Sequence, residues 1–368
     1  MTDPLALPLK LTPRFDPKPW GGRRLERFGF ILPGAGPIGE AVITAGDARV
    51  SGGDLDGISL QALVDRDPER IIGARGLAAT GGKALFPLLI KLIDASEDLS
   101  IQVHPGDHAA ASDVRLGKTE TYHVLASDAG STIALGLLPE ISATDFAVAC
   151  RTGTGVSERL RWIPARAGES ILIPAGTVHA LGAGCLVFEA QQPSEITYRL
   201  HDWDRLGIDG GPRALHLDDG LAVCDPASRP GPIAPLGLRS ASGRRHLLAA
   251  CRFFAVERIA LAGGEKMSTT AAGSPRTLTV LRGAVEAGSD VGNVAVASGE
   301  TVIAAASCPV RLRATAPAVL LRTWVPDLLT EVALPALAAG HDATAVAALA
   351  GSLPDIAIVL NDHRRGGG

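Results

Sequence analysis

Between Gly168 and His179 the chain reads Gly-Glu-Ser-Ile-Leu-Ile-Pro-Ala-Gly-Thr-Val-His, that is glycine, five residues, proline, one residue, glycine, two residues, histidine. This stretch restricts the fold more than any other. Its run Ser170-Ile171-Leu172-Ile173 is short, apolar and rich in β-formers, and Pro-Ala-Gly closes it. A buried strand is therefore predicted to end in a tight turn, which aims His179 back at whatever the strand lines. Further upstream, Leu99-Ser100-Ile101-Gln102-Val103-His104 alternates like a half-buried strand. Gln102 and His104 stand two apart and share a face. Glu120 follows in Gly117-Lys118-Thr119-Glu120. Two histidines, a carboxylate and an amide oxygen, brought by separate strands to one interior, make a cage for a divalent metal.

The surrounding sequence favours β structure. Forty-three glycines and 25 prolines are spread over 368 residues and place turns between many short strands, as in a sandwich or barrel and unlike an α/β fold. Gly34-Ala35-Gly36-Pro37-Ile38-Gly39 has the spacing of a dinucleotide-binding loop, but a strand, Glu40-Ala41-Val42-Ile43-Thr44, follows it. No helix N-terminus is then available for a pyrophosphate, and a Gly-rich hairpin is expected. Helices are expected from Leu60, capped by Ser59, and within 139–151, opened by Pro139 or capped by Ser142. Two apolar strands carry a buried charge in mid-run: Lys91 in 86–94 and Glu189 in 186–192. A lone Lys there either snorkels to water or faces a cavity as an anion-binding group. In Ile196-Thr197-Tyr198-Arg199-Leu200, Thr197 and Arg199 share a face.

A Pro- and Gly-rich stretch at 225–235 reads as a linker. Beyond it, 299–310 can be laid over 168–179: the Gly-Glu start and the apolar run match, but Val310 stands in the place of His179. Such an echo suggests duplication, with the chemistry confined to the first copy. The Ala- and Leu-rich segment from 328 to 360 is expected to hold one or two helices, and the last residues from His363 to fray.

Composition narrows the function. A net charge of −4 gives no electrostatic reason for a nucleic-acid partner. No apolar run is long enough to span a bilayer and no leader pattern opens the chain, so a soluble, cytoplasmic protein is expected. The five cysteines form no CxxC pair, so buried free thiols are expected, Cys185 among them. His108 is read as a surface loop residue and His123 as a strand residue without a constellation. Asp202-Trp203-Asp204-Arg205 is read as a salt-bridged turn.

The Gly-x5-Pro-x-Gly-x2-His pattern is similar to the second sequence motif of the cupin superfamily of small metal-binding β barrels. More specifically, the chain resembles the type I phosphomannose isomerases. The resemblance rests on Phe86-Pro87-Leu88-Leu89-Ile90-Lys91, on the Leu99–Asp107 and Gly117–Glu120 blocks, on Ile173-Pro174-Ala175-Gly176-Thr177-Val178-His179-Ala180-Leu181, and on Glu195-Ile196-Thr197-Tyr198-Arg199-Leu200-His201-Asp202-Trp203. These blocks cover about residues 14 to 205 in the family's order. The chain departs from the family at Val42, where an aromatic is frequent, at Thr121-Tyr122-His123, where a Trp is common, and at Glu195, where Asp is usual.

The resemblance implies a mainly β fold with two cupin-like jelly-roll barrel units and a few short helices: a metal-binding unit at 1–225, a second unit without metal ligands at 236–327 and a helical extension at 328–368. It implies one zinc ion per chain, held by Gln102, His104, Glu120 and His179. It also implies aldose–ketose isomerisation of mannose 6-phosphate and fructose 6-phosphate through an enediol. Lys91, Ser100 and Lys118 would hold the sugar phosphate, and Arg199 and Glu189 would lie near the reacting carbons. Glu189 and Lys118 are both candidates for the base. Three other readings stay open at this stage: an isomerase of another aldose phosphate, a non-catalytic sugar-phosphate-binding cupin, and an iron redox cupin. The only partner expected is the small-molecule sugar phosphate, and the chain is compatible with a monomer or a homodimer.

Overall fold

A computed structural model describes residues 3–107, 116–241, 243–269 and 273–366. The fold is mainly β, as expected. Among the described residues the strands form four sheets of eight, seven, five and four strands. Among the described residues no sheet closes into a barrel, so where barrels were expected there are open sheets stacked face to face.

The seven-stranded sheet is a central layer, and its sequence explains why. Leu89–Asp94 and Cys185–Gln191 are buried at every position, the pattern of strands covered on both faces. Alternate residues divide between two cores. Ile93, Tyr122, Val124, Ile171, Ile173 and Val187 pack against Ile133, Leu135 and Leu181 of the five-stranded sheet. Ile90, Leu92, Leu172, Phe188 and Ala190 join a larger cluster with the eight-stranded sheet and the helical segment from Leu60. The outer face of the five-stranded sheet is covered by the helices Ala143–Thr152 and Leu217–Val223, through Ile101, Val103, Ala134, Phe146 and Leu200.

Local signals account for the helices. Ser59 caps Leu60–Arg66 and buries Leu60, Leu63 and Val64 on one face. Ser142, not Pro139, starts Ala143–Thr152, accepting from Asp145 N–H, and Gly153 ends the helix at φ 68°. The glycines from Gly34 to Gly39 lead into the strand Glu40–Thr44, with no helix behind them.

The two halves exchange strands. Leu9–Thr12 pairs with Thr301–Ala304 in the eight-stranded sheet, and Pro232–Ile233, inside the stretch read as a linker, pairs with Ser170–Ile173 in the seven-stranded one. The sequence echo has a structural counterpart. Ser170–Ile173 is followed by His179–Leu181, and Thr301–Ala304 by Val310–Ala314. The C-terminal segment holds three short helices after a π-helical turn, and the last of them, Asp355–Gly366, runs through the residues expected to fray. Ile356 and Leu360, four apart, bury one side of it, and His363, Arg364 and Arg365 in its last turn complement the helix dipole.

Candidate metal centre

The site lies between the seven- and five-stranded sheets, and strand register builds it. On the five-stranded sheet Arg199 pairs with Gln102, and Gln102 with His179. Cross-strand partners project to the same face, so these three form a row. On the facing sheet Lys91 pairs with Glu189, and Glu189 with Tyr122. Two residues along, on the same face, Gln191 pairs with Glu120 and Glu120 with Ile173. The turn after Ile173 returns the chain to the other sheet, where His179 begins a strand.

Four side chains converge there. Nε2 of His179 lies 3.1 Å from Glu120 Oε1, and Nε2 of His104 lies 3.5 Å from Oε2. The amide nitrogen of Gln102 lies 3.2 Å from His179 Nε2, and its oxygen accepts from Ser100 Oγ at 3.4 Å. One ligand atom from each of His104, Glu120 and His179 fits within 4.8 Å of the others. Each histidine is oriented from behind: Nδ1 of His104 donates to the Ile196 carbonyl and Nδ1 of His179 to that of Thr177, both at 2.9 Å. Both Nε2 lone pairs are thereby turned inward, the usual outer-shell arrangement of a metal-binding histidine. Both carboxylate oxygens of Glu120 are fully buried and accept no well-directed hydrogen bond, although Lys118 Nζ stands 3.1 Å from Oε2 and from His104 Nε2.

The electrostatics follow from burial. Burial, helped by the Lys118 ammonium, pushes His104 down to about 3, so it is neutral at any ordinary pH. Burial raises the Glu120 carboxyl, but the Lys118 ammonium 3.1 Å from Oε2 outweighs it and holds the group well below the usual carboxylate range. Glu189 moves the other way. Burial, with Glu120 and Glu40 nearby, lifts it to about 7 against the pull of Lys118 and Lys91.

A cavity of about 340 Å³ opens beside this cluster. Lys91, Ser100, Gln102, Lys118, Glu189 and Arg199 all line it, and the structure brings these together with His104, Glu120 and His179. Lys91 lines the cavity, with its ammonium 3.6 Å from Glu40 and 3.9 Å from Glu189. Glu40, Tyr122 and Arg213 also line the cavity and were missed. Glu40 opens its strand, and its one sequence signal is a carboxylate in an otherwise apolar run. Arg213 arrives on a loop that no periodicity places.

The remaining residues take ordinary roles. Nδ1 of His123 bonds Ser170 Oγ at 2.9 Å, His201 packs edge-on against Trp203, and burial lifts the Cys185 thiol to about 11. Asp202 and Arg205 are ion-paired across a turn, as expected. His108 lies outside the described residues.

The chain is similar to known proteins in sequence and in fold. The sequence profile of the phosphomannose isomerase type I catalytic domain matches residues 9–143. A mannose-6-phosphate isomerase of Streptococcus mutans is 32% identical over 280 residues, which is 73% of this chain and 83% of that one. The mannose-6-phosphate isomerase ManA of Bacillus subtilis is 34% identical over 230 residues, 61% of this chain and 70% of that protein. The crystal structure of a Bacillus subtilis mannose 6-phosphate isomerase superposes with a TM-score of 0.76 at 28% identity, covering 86% of this chain and 99% of the other. With such relatives matched over most of their length, and the blocks that carry the likeness folded around one buried cluster, this chain belongs to the type I phosphomannose isomerase family.

Proposed function

We propose that the protein interconverts mannose 6-phosphate and fructose 6-phosphate, with a zinc ion held by Gln102, His104, Glu120 and His179. One observation carries the reading: the buried carboxylate of Glu120 and two inward-turned imidazoles converge beside a cavity lined by Lys91, Lys118, Glu189 and Arg199. The residues fit the ion. Two buried carboxylate oxygens lack well-directed partners, two imidazoles present lone pairs, and an amide half-turn brings the Gln102 oxygen to the same point. When bound, the ion supplies Lewis-acid polarisation of a substrate oxygen.

The chain's own residues supply the rest. Isomerisation takes a proton from C2 of the open-chain aldose and returns it to C1, while a hydroxyl proton passes from O2 to O1, through an enediol. Glu189 is the base in this reading, because its carboxyl, lifted to about 7, holds and releases a proton near neutrality. Lys118 is ion-paired to Glu120 and acts as a cation toward a substrate oxygen. Arg199 steadies the oxygen that gains negative charge. Lys91 and Ser100 hold the sugar phosphate with Lys118. The catalytic unit is then residues 1–225, arranged as a cupin-like jelly roll, with a second such unit without ligands at 236–327 and the helical extension at 328–368.

The test is conversion of mannose 6-phosphate by purified protein, with and without chelator and added zinc, beside Glu120→Ala. Activity lost to chelator, restored by zinc and absent from the variant is the expected result. A folded, zinc-loaded protein that turns over another aldose phosphate and not this one overturns the substrate.

A further inference from the structure

Arg199 stands on the outermost strand of the five-stranded sheet. In that sheet Tyr198–His201 has a neighbour on one side only, the strand Ile101–Val103. An edge strand must satisfy its outward N–H and C=O groups elsewhere. At Arg199 one residue does both. The main-chain N–H of His216 donates to the Arg199 carbonyl at 2.8 Å, and the Arg199 N–H donates to Nδ1 of the His216 ring at 3.3 Å. The imidazole nitrogen thus stands where the carbonyl of a neighbouring strand would be. Because the amide is the donor, Nδ1 is the acceptor, and the neutral ring carries its proton on Nε2. The guanidinium is held from the same segment, since Arg199 Nη1 donates to the Ala214 carbonyl at 2.8 Å.

The His216 side chain forgoes another bond to do this. His216 precedes the helix Leu217–Val223, a position from which side chains commonly cap, but its ring makes no capping bond. It lies against the Tyr198 ring, with centroids 6.2 Å apart. The helix behind it is seated closely on the Arg199 strand. A Cβ at Gly220 would stand 2.6 Å from Leu200 Cδ2 and 3.2 Å from Tyr198 Cβ, an approach that glycine alone allows. Past the helix, the Asp225 N–H donates to the Gly176 carbonyl at 2.8 Å, in the turn that leads to His179. The segment 214–225 therefore touches both the Arg199 strand and the turn that delivers a candidate metal ligand.

Arg199 has no carboxylate to steer it. Among the described residues none stands within ion-pairing distance, and its buried Nε has no hydrogen-bond partner. Its charge is left for the cavity that it lines, and the aim of that charge depends on the bonds from Ala214 and His216.

We propose that His216 is the positioning residue for Arg199: together with the Ala214 carbonyl it fixes the main chain and the guanidinium, so that the charge meets the substrate oxygen that turns negative. The inference rests on the isomerase reading above and keeps the role given there to Arg199.

The experiment compares the zinc-loaded full chain as wild type, His216→Phe and His216→Asn, and repeats His216→Phe on an Arg199→Gln background. His216→Phe keeps a ring against Tyr198 and removes the acceptor, whereas His216→Asn keeps an acceptor close to the place of Nδ1. With mannose 6-phosphate, His216→Phe is expected to lower kcat by about 10- to 100-fold, the cost of a misaimed group, at nearly constant KM and zinc content. His216→Asn recovers most of the loss. On the Arg199→Gln background the same change is expected to alter kcat by less than about 2-fold, because the charge it aims is already gone. General structural damage lowers kcat on both backgrounds. A folded, zinc-loaded His216→Phe with wild-type kcat overturns the proposal, as does an equal loss on the two backgrounds. If the wild type leaves mannose 6-phosphate untouched, the isomerase reading fails, and amide hydrogen exchange decides the positioning by itself. The Arg199 N–H is expected to exchange about 5-fold faster in His216→Phe, the worth of one hydrogen bond, and at the wild-type rate in His216→Asn. Equal protection in wild type and His216→Phe overturns it. If His216→Phe does not fold, His216→Gln, whose acceptor sits one bond too far out, takes its place with the same expectations.

Discussion

A carboxyl group as buried as that of Glu189 ionises only against its surroundings, and two pH dependences follow. The base must be ionised to accept a proton, so kcat/KM is expected to rise with pH through a midpoint close to 7. Glu189→Gln should lower kcat by about 100- to 10,000-fold and leave the zinc content unchanged. Stability runs the other way. The folded group keeps its proton up to about 7, while the unfolded one releases it near 4.5. Between these values the native state binds more protons, so this group's contribution falls as pH rises. Metal-free Glu189→Gln is therefore expected to melt above the wild type at pH 8 and to lose that advantage near pH 4, as thermal scans at the two pH values would show. Such a gain in stability at the expense of function is usual for a working residue. Lys91 and Glu189 were visible in the sequence because charge inside apolar strands is conspicuous, and the candidate metal ligands because strand alternation and the turn before His179 turn them to one interior. Glu40 was not, because its significance comes from lying 3.6 Å from a lysine on a neighbouring strand.

Strands were legible for the same reason that they are stable. Alternating or continuous apolar runs between Gly and Pro marked Leu89–Asp94, Ser170–Ile173 and Cys185–Gln191, and each is buried at every position. What the runs did not contain is the register that places Arg199 beside Gln102 and Glu189 beside Lys91, since register is fixed between strands far apart in the chain. Nor did they show that the sheets stay open. At this scale one ion pair fastens the helical turn at Arg24 to the ends of two neighbouring strands. Asp94, fully buried at the end of its strand, accepts from the Arg24 backbone N–H and from Nε, while the Arg24 guanidinium also donates to the carbonyls of Gly184, Ala95 and Cys185. Asp94→Ala leaves that guanidinium only the exposed carboxylate of Asp128, 3.3 Å away, and is expected to cost about 3 kcal/mol, read as a lower denaturant midpoint at unchanged slope.

For the molecule as a whole, a ligand that binds the native state alone raises its stability. Zinc is expected to raise the melting temperature of the metal-free wild type by several degrees, and Glu120→Ala should not respond, since about 3 kcal/mol follows from occupancy at a few hundred times Kd. No helix among the described residues is long and apolar enough to cross a membrane. The exchanged strands set a further requirement, one of timing. Lys10, on the Leu9–Thr12 strand, meets Glu300 across 290 residues of sequence. At about 5–20 residues per second, a ribosome needs on the order of 15–60 seconds to deliver the partner that this strand requires. Until then the Leu9–Thr12 segment has an unsatisfied edge, and the nascent polypeptide has to be kept from pairing with its neighbours on the same message.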